Sequence, residues 1–442
     1  MKKVKSRAVS VLLLVLIAIL GMGFYVGRYI VLGSQWASSP VNAAVFRRGV
    51  LTTGEITDRN GVILARITDG RRSFASDPDV RRSTLHAVGD ANSNIGTGAM
   101  LVFASDLSGF NLITGSYSVR NTGRTVKLTI DSELNTIALN ALRGRRGVVM
   151  VSNYETGEIL CMVSSPTFDP VNPPSNPSEE EAPFLNRAIF ADYPPGSTFK
   201  LVTAAAAIDK ISNVYSLEFT CAGGNRGETA VGNDLLICSH GPHGTLGIER
   251  GMVVSCNIVF GELALELGAD VLAEYANKFG LSTSTRVSGI QTVSGNFDKG
   301  DPGSIFLAWS GIGQFNNQVC PASMLRFVGA IANDGRTVDL YYKQRTGLQS
   351  FIPSRTRRLL TANTASGLEE LIEVEGASNL LLHAKTGTAQ IGPGISPHAW
   401  YTGYINNPGH PYAFVVIVEN SGSGADIAAP IARTVLQAAI TR

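Results

Sequence analysis

The chain has 442 residues, of which 44% are hydrophobic and 16% charged, a balance that supports a large packed core and excludes a disordered polymer. The formal net charge is +2, and four basic residues (Lys2, Lys3, Lys5, Arg7) precede the first apolar run. The rest is slightly acidic with no basic stripe to neutralise phosphates, so nucleic acid is excluded as a partner. Such a length allows two or three domains.

No charge interrupts the stretch from Ala8 to Gly27. Twenty residues at about 1.5 Å each span roughly 30 Å, the thickness of a bilayer core. The sequence thus predicts a transmembrane signal anchor at 8–29 behind a cytoplasmic tail at 1–7. The basic flank puts the tail in the cytoplasm and the body on the outer side of a bacterial cytoplasmic membrane. A cleaved signal peptide is the alternative, and it too leaves the body outside.

Residues 30–124 are mixed and rich in Gly, Ser, Arg and Asp, with periodicity too weak for long helices, so short strands and loops are expected. A second region, 125–442, opens with the alternating run Thr125-Val-Lys-Leu-Thr-Ile130. Asp131 is an N-cap candidate for a helix with Leu134, Ala138 and Leu142 on one face. Residues 147–151 and 159–163 read as two strands around a turn at 155–157. A polar, proline-rich loop follows, from about Pro166 to Pro183. Helices are expected over 201–209 and 257–267, strands over 380–384, 399–405 and 412–418, and a closing helix over 428–440. Strands at both ends with helices between them predict an antiparallel sheet built from distant segments, with helices on its faces.

The five cysteines (Cys161, Cys221, Cys238, Cys256, Cys320) are too few for a disulfide scaffold. An exported location permits one bond, with Cys221 and Cys238 the first pair to test, and two buried thiols are an equal alternative. No HExxH or CxxC pattern occurs, so neither a metal nor any other cofactor is expected.

Three short patterns carry chemistry. In Ser197-x-x-Lys200 the i and i+3 positions share a helix face, so a lysine amine can take the serine's proton once burial has lowered its pKa. The serine's own N–H, at a helix start, can donate to an oxyanion. A serine N-cap with an exposed lysine is the plain alternative. In Ser255-Cys256-Asn257 the hydroxyl can relay a proton and the amide can hold a peptide group. Ser294-Gly-Asn296 fits the same pattern but lies in a Gly- and Asp-containing loop. Lys385-Thr-Gly-Thr388 ends an apolar strand, where Lys385, Thr386 and Thr388 suit a carboxylate, Gly387 lets a substrate backbone approach, and the Thr388 N–H is a second oxyanion donor. Each pattern is weak alone. Their order, with each supplying a different requirement of acyl transfer, is the strong signal.

These motifs resemble those of penicillin-binding proteins and serine β-lactamases. Arg48-Gly-x-Leu51, Ile56-Thr-Asp-Arg-Asn-Gly61, Met162-Val-Ser-Ser-Pro-Thr-Phe-Asp-Pro170, Asn186-Arg-Ala188, Gly311-Ile-Gly-Gln314 and His398-Ala-Trp400 are similar to the monofunctional class B transpeptidases in particular. The resemblance implies an α+β penicillin-binding transpeptidase fold: an antiparallel five-stranded sheet with helices on both faces, an all-helical part, one N-terminal transmembrane helix and a small pedestal or dimerisation-like domain at 30–124. It implies a serine D,D-transpeptidase in which Ser197 is the acyl acceptor, Lys200 the base, and Ser255 and Asn257 the second motif. Lys385, Thr386 and Thr388 would bind the carboxylate of stem peptide or β-lactam. The implied partners are peptidoglycan stem peptides, β-lactam antibiotics, membrane lipid at the N-terminal helix, and a polytopic glycosyltransferase of the shape, elongation, division and sporulation group. A β-lactamase is disfavoured because Glu133-Leu-Asn135, the nearest match to a deacylating E-x-x-L-N loop, precedes Ser197. A D,D-carboxypeptidase, a β-lactam-sensing receptor and a scaffold with a dead site are further alternatives.

Overall fold

A computed structural model describes residues 2–37, 46–47, 50–51, 54–68, 71–108, 124–175, 182–345, 354–372, 374–375, 380–407 and 409–442. Arg48 and Gly49 of the first resemblance string, and part of the proline-rich loop, lie outside them.

Helix α1 (Lys2–Ala37) carries the apolar run, and its 4–30 segment is long and apolar enough to cross a membrane. Large side chains such as Leu12, Leu16 and Ile19 project from it without protein cover, an arrangement that suits lipid rather than water.

A small sheet follows, made of β1 (Gly54–Thr57), β2 (Ile63–Thr68), β3 (Arg71–Phe74) and β4 (Thr125–Lys127), in the order β3-β2-β1-β4. The β1–β4 pairing is parallel, so the run at Thr125 completes this sheet. Asp58, almost wholly buried, joins it to the rest: its carboxylate accepts from the N–H groups of Asn60 and Val62 and from the Ser132 hydroxyl at 2.7 Å.

Ser132 opens α2 (Ser132–Leu142), capped as expected by Asp131, which accepts from the N–H groups of Glu133 and Leu134. The main sheet is built from β5 (Gly147–Asn153), β6 (Ile159–Ser165), the two-residue β7 (Val374–Glu375), β8 (Leu382–Ala389), β9 (His398–Ile405) and β10 (Tyr412–Val418). Its order is β7-β8-β9-β10-β5-β6, so the expected five antiparallel strands are present, with a short edge strand added.

Both faces of this sheet are covered, which is why β5, β6 and β10 are almost continuously apolar. Val149, Val151, Phe414 and Val416 pack on one face with α2 and the closing helix α6 (Ala429–Ile440). Val148, Met150, Val415 and Ile417 face the helical part, including α3 (Lys200–Lys210), α4 (Asn257–Leu267) and α5 (Pro321–Ala332). The residues of the three sequence patterns lie where this helical part meets the outer edge of β8.

Candidate active site

Ser197 does not sit on α3 itself. Gly196–Phe199 form a 3₁₀ turn leading into it, and Gly196 adopts φ +54°, a value glycine tolerates without strain. Bonds to three separate segments hold the turn. Gly196 N–H donates to Gly313 O at 2.9 Å, Trp400 Nε1 donates to Pro194 O at 2.9 Å, and the Tyr193 hydroxyl donates to Glu419 at 2.8 Å. The resemblance strings around Gly311 and His398 thus act as the cradle of the serine.

Lys200 is fully buried, and its amine is directed at the second motif: Nζ lies 2.6 Å from Ser255 O, 2.8 Å from Asn257 Oδ1 and 3.2 Å from Ser255 Oγ. Ser197 Oγ is not among these partners, so the sequence spacing alone does not describe where the amine is held. Lys385 reaches the same hydroxyl from β8, with Nζ 2.9 Å from Ser255 Oγ and 3.1 Å from Thr386 O. Burial, and then the nearby Lys385 charge, hold the Lys200 amine well below its ordinary range. Burial alone pushes Lys385 down to about 8.

Ser255 has φ +53°, a left-handed conformation that costs a non-glycine residue energy. Asn257 Nδ2 donates to Ile237 O at 3.1 Å and to Ser239 Oγ at 3.2 Å, so this amide links Lys200 to the neighbouring hairpin. The competing pattern is used elsewhere: Ser294 bonds to Ser282 and Gly295, and Asn296 to Asn316.

Strand β8 runs straight through Lys385-Thr-Gly-Thr388 instead of ending there, because its ladder to β9 continues to the Ala389–His398 pair. Lys385 and Gly387 face the Ser197 turn. A Cβ on Gly387 would lie 2.9 Å from Pro195 O and 3.0 Å from Thr198 Cγ2, so this glycine makes room for the turn. Thr386 and Thr388 alternate with them along the strand and still border the cleft, and Gly424 N–H donates to Thr388 Oγ1 at 3.4 Å. Gln314 Nε2 donates to Thr388 O at 3.3 Å on the outer side of the strand, and the Thr388 N–H points the same way. Beyond His383 the outer edge of β8 has no strand partner among the described residues. The edge borders a cleft of about 860 Å³ lined by Ser197, Ser255, Asn257, Lys385, Thr386 and Thr388 among others.

The model of the penicillin binding protein transpeptidase domain matches residues 147–437. The chain belongs to the penicillin-binding protein transpeptidase family. A peptidoglycan D,D-transpeptidase, PbpA, of Mycobacterium tuberculosis is 30% identical over 337 residues, which cover 67% of each chain. The crystal structure of that organism's PBPA superposes with a TM-score of 0.74 at 27% identity, covering 88% of this chain and 99% of the other. Its penicillin G acyl-enzyme complex gives 0.69 at 26% identity, covering 88% and 99%. The transpeptidase fold expected from the three motifs is therefore the fold of this chain.

Within this transpeptidase domain the structure gathers Ser197, Lys200, Ser255, Asn257, Lys385, Thr386 and Thr388 around one cleft. Sequence reasoning missed the supports, Trp400, Gln314, Gly313 and Glu419. The resemblance strings contained the first three, but they carried no hint of which atom each would hold.

Proposed function

We propose that this membrane-anchored transpeptidase cross-links peptidoglycan stem peptides through an acyl-enzyme on Ser197, and that β-lactams trap the same serine. The observation that carries the reading is the convergence of two buried lysines of depressed pKa on the Ser255 hydroxyl beside the Ser197 turn. A neutral Lys200 donates its two N–H groups to Ser255 O and Asn257 Oδ1 and keeps its lone pair for the Ser197 proton.

Ser197 Oγ then attacks the penultimate D-alanine carbonyl of the donor stem. The oxyanion forms between the Ser197 and Thr388 N–H groups. The proton passes from Lys200 through Ser255 Oγ to the departing D-alanine amine, which leaves as the C–N bond breaks. Lys385, charged below about pH 8, and the Thr386 and Thr388 hydroxyls hold the terminal carboxylate. The edge of β8 beyond His383, unpaired among the described residues, adds the stem peptide as a further strand. An amine of a second stem attacks the acyl carbon, returns the proton by the same relay and releases Ser197.

Lys2, Lys3, Lys5 and Arg7, in the first turns of α1 and ahead of its apolar run, support a cytoplasmic tail with the cleft on the outer side, where peptidoglycan lies. Lipid is the partner of α1, and a polytopic glycosyltransferase would supply the glycan strands.

The test is intact-mass analysis after penicillin treatment. One slowly decaying adduct per chain, mapped to the Ser197 peptide and lost in Ser197→Ala, is expected. Stoichiometric labelling of Ser197→Ala would sink the assignment. A D-Ala-D-Ala stem peptide with an acceptor amine should yield a dimer, whereas hydrolysed peptide alone would mark a carboxypeptidase.

A further inference from the structure

The second motif is also one corner of a cluster that the acyl transfer does not use. Cys221 ends the strand Phe219–Cys221, Cys238 follows the strand Asp234–Ile237, His243 precedes the strand Gly244–Leu246, and Cys256 is the residue before α4. Pairing of Cys221 with Gly244 brings His243 beside Cys221. The donor atoms of the four residues lie within 4.8 Å of one another.

The separations are informative. Cys221 Sγ and Cys238 Sγ each stand 3.6 Å from His243 Nδ1, and Cys238 Sγ stands 3.9 Å from Cys256 Sγ. A tetrahedral zinc with bonds of about 2.3 Å to sulfur and about 2.0 Å to nitrogen sets S···S separations near roughly 3.8 Å and S···N near roughly 3.6 Å. Three cysteines and one histidine are a closed, structural donor set for this ion.

The surroundings fit the same reading. All three cysteines are completely buried, and all are free thiols. Asn257 N–H donates to Cys238 Sγ at 3.4 Å, the kind of bond that supports a metal-bound thiolate. A Cβ on Gly227 would lie 2.5 Å from Cys221 Sγ and one on Gly241 3.0 Å from it, so two glycines keep the backbone clear of that sulfur. Three cysteines cannot all be paired as disulfides within the group.

We propose that Cys221, Cys238, His243 and Cys256 bind one structural zinc ion. The sequence hides the site because its ligands come from a small two-stranded ribbon, a hairpin and a helix start, without a CxxC pair. The ion would tie these together around Cys256, which stands between Ser255 and Asn257. It would thereby hold Ser255 in its left-handed conformation and keep Asn257 against Ile237 O. Zinc is thus a positioning device for the second motif, and it takes no part in the chemistry.

The test uses the full-length protein in detergent, purified without chelator, with metal measured by plasma mass spectrometry. About one zinc per chain is expected, falling at least about fivefold in Cys238→Ser and in His243→Ala. Since such variants may lose their fold, cobalt exchange is read on the unaltered chain, where sulfur-to-cobalt charge-transfer bands and the visible bands of tetrahedral cobalt are expected. Metal-free protein with an unchanged circular dichroism spectrum, or a chain two hydrogens lighter through a disulfide among these cysteines, would overturn the site. Stripping the zinc should slow acylation by penicillin about a hundredfold, the low end of what a positioned proton-transfer group contributes, with recovery on adding zinc back. Unchanged acylation without zinc would overturn the positioning role. Metal content is read without any activity, so failure of this site and failure of the transpeptidase reading are distinguishable.

Discussion

Lys385 Nζ donates to Ser255 Oγ at 2.9 Å, so the second and third motifs are joined before any substrate arrives. A lysine doing this keeps its charge only while its pKa allows. Burial sets that value at about 8 for Lys385 and holds Lys200 well below its ordinary range. Acylation by penicillin should therefore rise with pH as Lys200 loses its proton. It should then fall by about tenfold per unit above pH 8, as Lys385 becomes neutral and stops attracting the carboxylate. In Lys385→Arg, whose guanidinium stays charged, the falling limb should vanish even if the peak rate drops. A rate that still climbs at about pH 10 in the unaltered chain would contradict this assignment.

Gly387 sets how closely β8 meets the serine turn. With Pro195 O 2.9 Å and Thr198 Cγ2 3.0 Å from the position of an added Cβ, Gly387→Ala must push the turn away. The expected cost is about 1–3 kcal/mol of stability, as for other overpacked sites, together with a loss of acylation rate of about a hundredfold. Gly96→Ala, where the Cβ meets nothing, is the control. Equal acylation by both variants would show that the contact is soft.

Glu419 gathers Arg187, Arg146 and Tyr193 beneath the Ser197 turn. Its carboxylate accepts from Arg187 Nε at 2.9 Å and from the Tyr193 hydroxyl at 2.8 Å, and it pairs with Arg146 Nε at 3.1 Å. Arg187 is nearly inaccessible, so Glu419→Ala withdraws the counter-charge from a buried cation. We expect a loss of about 3–5 kcal/mol in denaturant unfolding. A change below about 1 kcal/mol would mean that solvent already screens the group.

His86 makes stability depend on pH below neutrality. It is buried, its Nε2 lies 2.9 Å from Pro183 O, and desolvation lowers its pKa to about 4. The folded state keeps the ring neutral while the unfolded chain binds a proton below about 6.5. The contribution is thus present above pH 6.5 and is lost as the pH falls towards 4. Between pH 7 and 4 the unaltered chain should lose about 3 kcal/mol more than His86→Gln. Parallel losses in the two proteins would refute it.

Much of this was legible in the sequence, for identifiable reasons. The helix at Asn257–Leu267 and the strand at Tyr412–Val418 were located to the residue, because an apolar run bounded by polar residues leaves little freedom. The extension of β8 through Lys385-Thr-Gly-Thr388 was not legible, since only the ladder to β9 keeps that polar, glycine-containing stretch extended. The i, i+3 spacing puts Ser197 and Lys200 on one face, but the bonds of the Lys200 amine to Ser255 and Asn257 were not legible, because only tertiary packing brings those residues near. The grouping of Cys221, Cys238, His243 and Cys256 was hidden for the same reason, because spacing rules find metal ligands only when they are neighbours in sequence.

The pairing of β5 with β10, which sets Gly147 against Val418, has a consequence for how the protein is made. β5 is synthesised long before β10, one of its two neighbours, exists, and the part of its face that α6 covers stays bare until that helix has emerged. A growing chain must therefore be kept from aggregating through much of its synthesis, since α2 alone covers only part of its apolar first strands. A stop codon just ahead of β10 would spare every residue of the three motifs and still abolish the cleft. The strand that completes the sheet is thus translated after all three motifs.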